Sequence, residues 1–142
     1  MTPKLLDVNV VLALLHAGHA KSATASAWLE SQSGIRSLLI PRVVVMGTLR
    51  LSTRAAVMAE NVRSATEFWQ GWDRLMEDER FAEVSEPPEL NAAWRTLCEE
   101  LPPGRCAETD VYLAAFALAG GYGFVTFDRA FIQPSGLDVE TL

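Results

Sequence analysis

The chain has few of the residues that build disulfide frameworks or zinc sites. Its 142 residues include two cysteines, Cys98 and Cys106, and two histidines, His16 and His19. A disulfide framework needs several cysteine pairs, and a structural zinc site needs four Cys or His ligands at close spacing. We therefore expect both thiols to be reduced. We expect the histidines to be surface or loop residues rather than metal ligands.

Basic residues and long apolar runs are also scarce. Lysine and arginine total 12 against 18 acidic residues, which gives a net charge of −6. Proteins that coat nucleic acid nonspecifically rely on many cationic contacts to phosphate, so this class is disfavoured. No apolar run approaches the roughly 20 residues of a membrane span, and Met1–Lys4 leads into a strand-like run rather than a signal peptide. The sequence predicts a cytoplasmic protein that does not contact a membrane.

Apolar residues make up 49% of the chain, which is enough for one domain with its own core over residues 1–142. Short apolar runs alternate with amphipathic segments, and this alternation predicts an α/β fold with a central parallel sheet between two layers of helices. Thr109 is the expected N-cap of the last helix, and Gly120-Gly121 is its expected end. The predicted strands are 5–6, 37–40, 81–84 and 123–127; the predicted helices are 10–15, 22–30, 42–52, 65–78, 90–97 and 110–119.

Three aspartates stand at the ends of these elements. Asp7 and Asp128 follow predicted strands, and Asp110 opens a predicted helix. Ligands of parallel sheets bind at the carboxyl ends of the strands, so the three side chains are candidates for one site. Gathered carboxylates repel one another unless a cation lies among them, and Mg²⁺ or Mn²⁺ held by carboxylates is the usual apparatus for phosphodiester hydrolysis. The pattern predicts a metal-dependent nuclease.

Three segments resemble the conserved motifs of the PIN-domain family. They are Leu5-Leu6-Asp7-Val8-Asn9-Val10-Val11, Thr109-Asp110-Val111-Tyr112-Leu113-Ala114-Ala115 and Val125-Thr126-Phe127-Asp128-Arg129-Ala130-Phe131. Their order along the chain also matches. Within the family, the chain resembles the VapC-type ribonuclease toxins of toxin–antitoxin pairs.

The resemblance implies a PIN-like three-layer α/β/α fold and an endoribonuclease that uses Mg²⁺ or Mn²⁺. Asp7, Asp110 and Asp128 would be the catalytic and metal-binding residues. Asn9 would support the first carboxylate, and Thr126 would form hydrogen bonds near the site. The family also implies an RNA substrate, a homodimer, and inhibition by a cognate VapB-like antitoxin.

The chain departs from the family in the segment 43–50. Aligning Gly47 and Arg50 with the family's Gly-x-x-Arg places the usual glutamate at Val45, which can neither bind metal nor accept a proton. Three interpretations remain open. The three aspartates suffice for one metal, Glu108 supplies a further carboxylate, or the protein is catalytically impaired and acts by binding RNA or a partner.

Arg50 and Arg54 are candidates for binding substrate phosphates, because the guanidinium fork matches phosphate oxygens. Four residues apart, they would share one face if the segment is helical. Structural ion pairs with nearby acids are an equal alternative. The four tryptophans are predicted to be core or interface residues, because they lie at helical spacing among leucines.

A rival enzyme class is the haloacid dehalogenase type of phosphatase, which also opens with a strand ending in Asp-x-Asp. The second acid of that motif is replaced here by Asn9. The chain's two lysines, Lys4 and Lys21, do not follow in the strand-to-helix context that such a phosphatase needs.

Overall fold

A computed structural model describes residues 1–102, 104 and 107–142. In this part of the chain, five strands form one sheet in the order β3-β2-β1-β4-β5, and every neighbouring pair is parallel. The four predicted strands are confirmed, although the fourth ends at Thr126 instead of Phe127. The strands are β1 (Lys4–Leu6), β2 (Leu38–Pro41), β3 (Phe81–Val84), β4 (Gly123–Thr126) and β5 (Val139–Thr141).

Within the described residues, seven α-helices flank this sheet, as the alternating pattern predicts. The longer predicted helices are confirmed, and one short helical stretch, 55–61, was not predicted. The helices are α1 (Val8–Leu15), α2 (Ser22–Glu30), α3 (Arg42–Ser52), α4 (Ala55–Met58), α5 (Ala65–Met76), α6 (Leu90–Glu100) and α7 (Glu108–Gly120), with a 3-10 turn at Ala59–Asn61. None of the described helices is long and apolar enough to cross a bilayer.

The direction of chain progression reverses at β1. From β1 the chain adds β2 and β3 on one side, and then crosses to add β4 and β5 on the other. In the register, Leu5 of β1 lies beside Leu39 and Phe124, and all three side chains are buried. A crevice forms where the strand order reverses, outside the carboxyl ends of the strands. The fold therefore directs the residues after β1 and β4 to one place.

Helix α7 begins two residues earlier than predicted. It starts at Glu108 with Ala107 as its N-cap, so Thr109 lies inside the first turn rather than capping it. Its predicted end is confirmed, because Gly120 is the last helical residue and Gly121 adopts the left-handed conformation with φ of 70°. Glycine tolerates that conformation without steric cost.

His16 lies in the loop that follows α1, as expected, but it is buried rather than on the surface. Its side chain is 2% exposed, and its Nε2 lies 2.8 Å from Oγ of the buried Ser52. A hydroxyl can donate or accept, so the pair satisfies both polar groups inside the core. Burial, helped by the Arg63 charge, lowers the pKa of His16 to about 4.

Two tryptophans, Trp28 and Trp72, are in the core as predicted, whereas Trp69 is 42% exposed. Cys98 is a free thiol on the surface. Cys106 lies outside the described residues, so reduction of both thiols stays a prediction.

Candidate active site

Asp7 connects β1 to α1 and caps that helix. Its Oδ1 accepts a 2.7 Å hydrogen bond from the Val8 amide, and its Oδ2 accepts a 2.7 Å hydrogen bond from the Thr126 hydroxyl. The side chain is 8% exposed. Burial raises the pKa of Asp7, and the two hydrogen bonds oppose that rise because they stabilise the ionised form. Two hydrogen bonds thus hold the Asp7 carboxylate in a fixed orientation, although burial disfavours its charge.

Thr126, at the end of β4, joins several of the predicted site residues. While its hydroxyl donates to Asp7, its oxygen accepts the Asp128 amide at 3.0 Å and Nδ2 of Asn9 at 3.2 Å. A hydroxyl has one donor and two acceptor positions, so this one is fully used. Asn9 completes the arrangement, because its Oδ1 accepts the Phe127 amide at 3.1 Å. The structure therefore brings Asn9 and Thr126 together with Asp7, as predicted.

The three aspartates act on one another electrostatically. Asp110, half-buried in the first turn of α7, has its pKa raised to about 6 by burial first and then by the charges of Asp7 and Asp128. Asp128 also helps to raise the pKa of Asp7. It is itself exposed, and its Oδ1 accepts the Ala130 amide at 2.8 Å. The negative charges of Asp7, Asp110 and Asp128 are therefore close together, beyond the carboxyl ends of β1 and β4.

This donor set fits a hard divalent cation by its chemistry. Carboxylate oxygens are the ligands that Mg²⁺ and Mn²⁺ prefer, and a cation would offset the charge that raises the pKa of Asp110. Within residues 1–102, 104 and 107–142, no three acidic, His or Cys side chains already surround an ion-sized space. Mg²⁺ keeps several waters and takes one or two protein carboxylates, so a preformed cage is not required.

A cleft of about 680 Å³ opens beside Asp7 and Asp110, and α3 forms its opposite wall. Four of the α3 residues that line the cleft share one helix face, and Leu49 and Leu51 flank it; the four are Val43, Met46, Gly47 and Arg50. None of the six is acidic. Arg50 is therefore placed at the cleft, where its charge is opposite to that of the aspartates.

Val45, where the alignment with the family places the usual glutamate, is not among the residues that line the cleft. Val45 is 3% exposed and belongs to the hydrophobic core. Gly47, two residues further along the helix, does line the cleft. A Cβ added to Gly47 would lie 2.9 Å from Cγ2 of Val8, so Val8 fills the space of a side chain there.

Two tentative site residues are not brought to the cleft. Helix α3 ends at Ser52, so Arg54 lies beyond it as the N-cap of α4 and does not share a face with Arg50. Glu108 lines a separate cavity with Trp94 and Val111. Spacing alone could not reveal either result, since it depends on where α3 stops and on how the first turn of α7 is rotated.

Sequence reasoning also missed the contribution of Met46 and Val8 to the site. The available signal was the spacing of residues 43, 46, 47 and 50, which marks a single face of α3. Met46 is 63% exposed, which is unusual for a large apolar side chain and marks the outer part of that face.

Comparisons with known proteins agree with this architecture. The family model described as "PIN domain" matches residues 4–137. Ribonuclease VapC41 of Mycobacterium tuberculosis is 32% identical over 142 residues, which cover 97% of each chain. Among solved structures, VapBC2 from Rickettsia felis bound to a promoter DNA fragment superposes with a TM-score of 0.71 at 13% identity, covering 98% of each chain. The M. tuberculosis toxin VapC20, described as cleaving the sarcin-ricin loop, gives 0.62 at 19% identity, covering 90% of this chain and 92% of that one.

Proposed function

The chain belongs to the PIN-domain family, and from that premise we propose that it is a metal-dependent endoribonuclease of the VapC type. The observation that carries the proposal is the hydrogen-bond network that joins Asp7, Asn9, Thr126 and the Asp128 backbone beside Asp110. Such a network fixes carboxylates before substrate arrives, which is what phosphodiester hydrolysis at a metal requires. Residues 1–142 would act as one domain.

Each residue has a distinct part in this proposal. Asp7, Asp110 and Asp128 would hold Mg²⁺ or Mn²⁺. When bound, that ion lowers the pKa of a water and neutralises charge on the phosphate. Thr126 and Asn9 keep Asp7 in one orientation, and Arg50 attracts the RNA phosphate into an otherwise acidic cleft. Glu108 has no part, since it faces another cavity.

Cleavage of a mixed panel of structured RNAs tests the proposal. Purified protein is incubated with Mn²⁺, Mg²⁺ or EDTA, alongside Asp7→Asn and the control Asp73→Asn, which changes an exposed acid on α5. We expect cleavage that needs metal and Asp7 and that is unaffected at position 73. Cleavage that persists in EDTA or in Asp7→Asn would refute the proposed chemistry.

We further propose that the protein is a homodimer in the cytoplasm, inhibited by a small VapB-like antitoxin. The support is that VapBC2 of Rickettsia felis, with which this fold superposes, is a toxin–antitoxin assembly on DNA. Sedimentation equilibrium of the purified chain should give twice its 15.6 kDa mass. Growth arrest on expression should be relieved by co-expression of the cognate VapB-like antitoxin.

One observation favours a second candidate function, which is binding of RNA or a partner with impaired catalysis. The α3 face of the cleft has no carboxylate, because Gly47 and Met46 stand where an acidic side chain could reach Asp7. Growth arrest distinguishes the two functions. Arrest that survives Asp7→Asn would indicate binding, and arrest that is lost would indicate hydrolysis.

A further inference from the structure

A second concavity, of about 440 Å³, adjoins the acidic cleft. Val43 and Met46 of α3 line both spaces, so the two share a wall on that helix. Tyr112, two residues after Asp110 on α7, lines the second space together with Phe116. A strand of RNA with one phosphate beside Asp7 and Asp110 would therefore have this concavity next to it.

The chemistry of this concavity differs from that of the acidic cleft. Its walls are apolar and aromatic, from Val43, Met46, Tyr112 and Phe116. Its polar groups include the carboxylate of Glu86, whose Oε2 accepts a 2.6 Å hydrogen bond from the Tyr112 hydroxyl. The Tyr112 hydroxyl is the donor of this bond, so it orients the Glu86 carboxylate.

A phosphate is a poor occupant for this space. Glu83 and Glu86 both line it and would repel an anion. Arg42 offsets them little, because its Nη2 is 4.0 Å from Glu83 Oε1 with 79% and 47% of the two side chains exposed. A flat apolar group that carries hydrogen-bond donors matches the walls and the acceptors together. Nucleobases have that character, and unstacked RNA bases are read through such contacts.

We infer that this concavity is a base-binding subsite in which Glu86, oriented by Tyr112, recognises guanine next to the cleaved phosphate. Guanine presents two adjacent N–H donors, at N1 and N2, on its Watson–Crick edge. An ionised carboxylate accepts only and has about four lone-pair positions, so Glu86 can accept from guanine while retaining its bond from Tyr112. The inference rests on the proposed ribonuclease function and names the substrate feature that the cleft would select.

Base recognition can be measured separately from cleavage. The probes are single-stranded hexauridylates in which one position is guanosine or inosine, since inosine lacks the N2 amino group. Metal-free protein with ¹³C-labelled methionine methyls reports binding. Met46 is 63% exposed in the concavity, whereas Met58 is 7% exposed and serves as an internal reference. The same probes are then cleaved with Mn²⁺.

We expect the guanosine probe to shift the Met46 methyl signal without moving that of Met58. The inosine probe should bind about 10-fold more weakly, the size of one good base contact. Glu86→Gln should remove the difference between the two probes, and Tyr112→Phe should reduce it. The exposed control Glu89→Gln, three residues further along and outside the concavity, should leave it intact.

Each alternative outcome has a definite meaning. Metal-dependent cleavage that does not distinguish guanosine from inosine, or that is unaltered by Glu86→Gln, overturns the subsite and leaves the nuclease standing. Guanine-specific binding without cleavage in any metal supports the subsite and overturns the nuclease, whereas neither binding nor cleavage overturns both. The Met46 signal could instead shift with protein concentration in the absence of RNA, while Glu86→Gln lowers the mass of the oligomer in solution. That result makes this surface an interface between copies and overturns the subsite.

Discussion

The hydroxyl of Thr126 donates a 2.7 Å hydrogen bond to Oδ2 of Asp7, a residue 119 positions earlier in the chain. The bond crosses between adjacent strands β1 and β4, at the point where the strand order reverses. Thr126 has no solvent exposure and Asp7 is 8% exposed, so water cannot easily replace either partner. The relationship ties the geometry of the candidate active site to the pairing of the two central strands.

Replacing Thr126 therefore tests the network. Thr126→Val keeps the shape but removes the short hydrogen bond to Oδ2 of Asp7 and the acceptor of the Asp128 amide. We expect a loss of about 1–3 kcal/mol in the free energy of unfolding and a loss of about 10–100-fold in RNA cleavage. Thr126→Ser, which keeps the hydroxyl, should restore most of both. Urea unfolding and cleavage rates measure the effects, and equal behaviour of the two variants would contradict the role of the hydroxyl.

The raised pKa of Asp110 makes a separate prediction about stability. In the fold its pKa is about 6, above the ordinary value of 3.8, so the ionised form is disfavoured by folding. Its contribution to stability is complete below pH 3.8 and is lost as the pH rises to about 6. At pH 7, Asp110→Asn should therefore stabilise the metal-free protein, by on the order of 1 kcal/mol after allowance for partial exposure.

Added metal should reverse the order of stability of the parent and Asp110→Asn. Millimolar Mn²⁺ should raise the melting temperature of the parent, since a ligand that binds only the folded state stabilises it. The same addition should have little effect on Asp110→Asn. Thermal unfolding at pH 7 with and without Mn²⁺ measures both effects. A variant that is less stable than the parent in EDTA would contradict the charge repulsion.

His16 makes stability depend on pH in the opposite direction to Asp110, over an overlapping pH range. Its pKa is lowered from 6.5 to about 4 in the fold, so its contribution to stability is present above pH 6.5 and is lost as the pH falls to about 4. The full loss is on the order of 3 kcal/mol. His16→Gln keeps a polar partner for Ser52 but cannot be protonated, so it should lose less unfolding free energy as the pH falls. Comparing the two proteins at each pH cancels the Asp110 contribution, which both share, and parallel curves would refute the prediction.

The sequence predicted most of the sheet and the main partners of Asp7, because those features depend on short-range patterns. Buried strands followed by Asp7 and Asp128 are local signals, and a parallel sheet brings strand ends together by rule. The features that could not be predicted concern orientation. The burial of His16 depends on a distant partner, Ser52, and the rotation of α3 decides whether Val45 or Gly47 faces the cleft. Periodicity predicts a helix, but packing against neighbouring elements determines which of its faces is buried.

The two arginines can be compared directly, because Arg50 lines the cleft and Arg54 does not. Arg50→Ala should weaken binding of RNA to the metal-free protein and lower the slope of log affinity against log salt by about 1, the amount for one phosphate contact. Arg54→Ala removes the same charge outside the cleft and is the matched control. Fluorescence anisotropy at several salt concentrations measures both, and equal slopes for the two variants would show that only net charge matters.

The final prediction concerns the missing carboxylate of α3. Val45→Glu would bury a charge in the core, where the side chain is 3% exposed, and should cost about 3–5 kcal/mol without adding activity. Gly47→Glu places the carboxylate at the cleft, but its Cβ would lie 2.9 Å from Val8 Cγ2. The double variant Gly47→Glu with Val8→Ala removes that clash and should bind Mn²⁺ more tightly than Val8→Ala alone. Manganese affinity by calorimetry decides the matter. If Val45→Glu gained metal affinity and the double variant did not, α3 would have to present its other face to the aspartates, and the assignment of Gly47 to the cleft would be wrong.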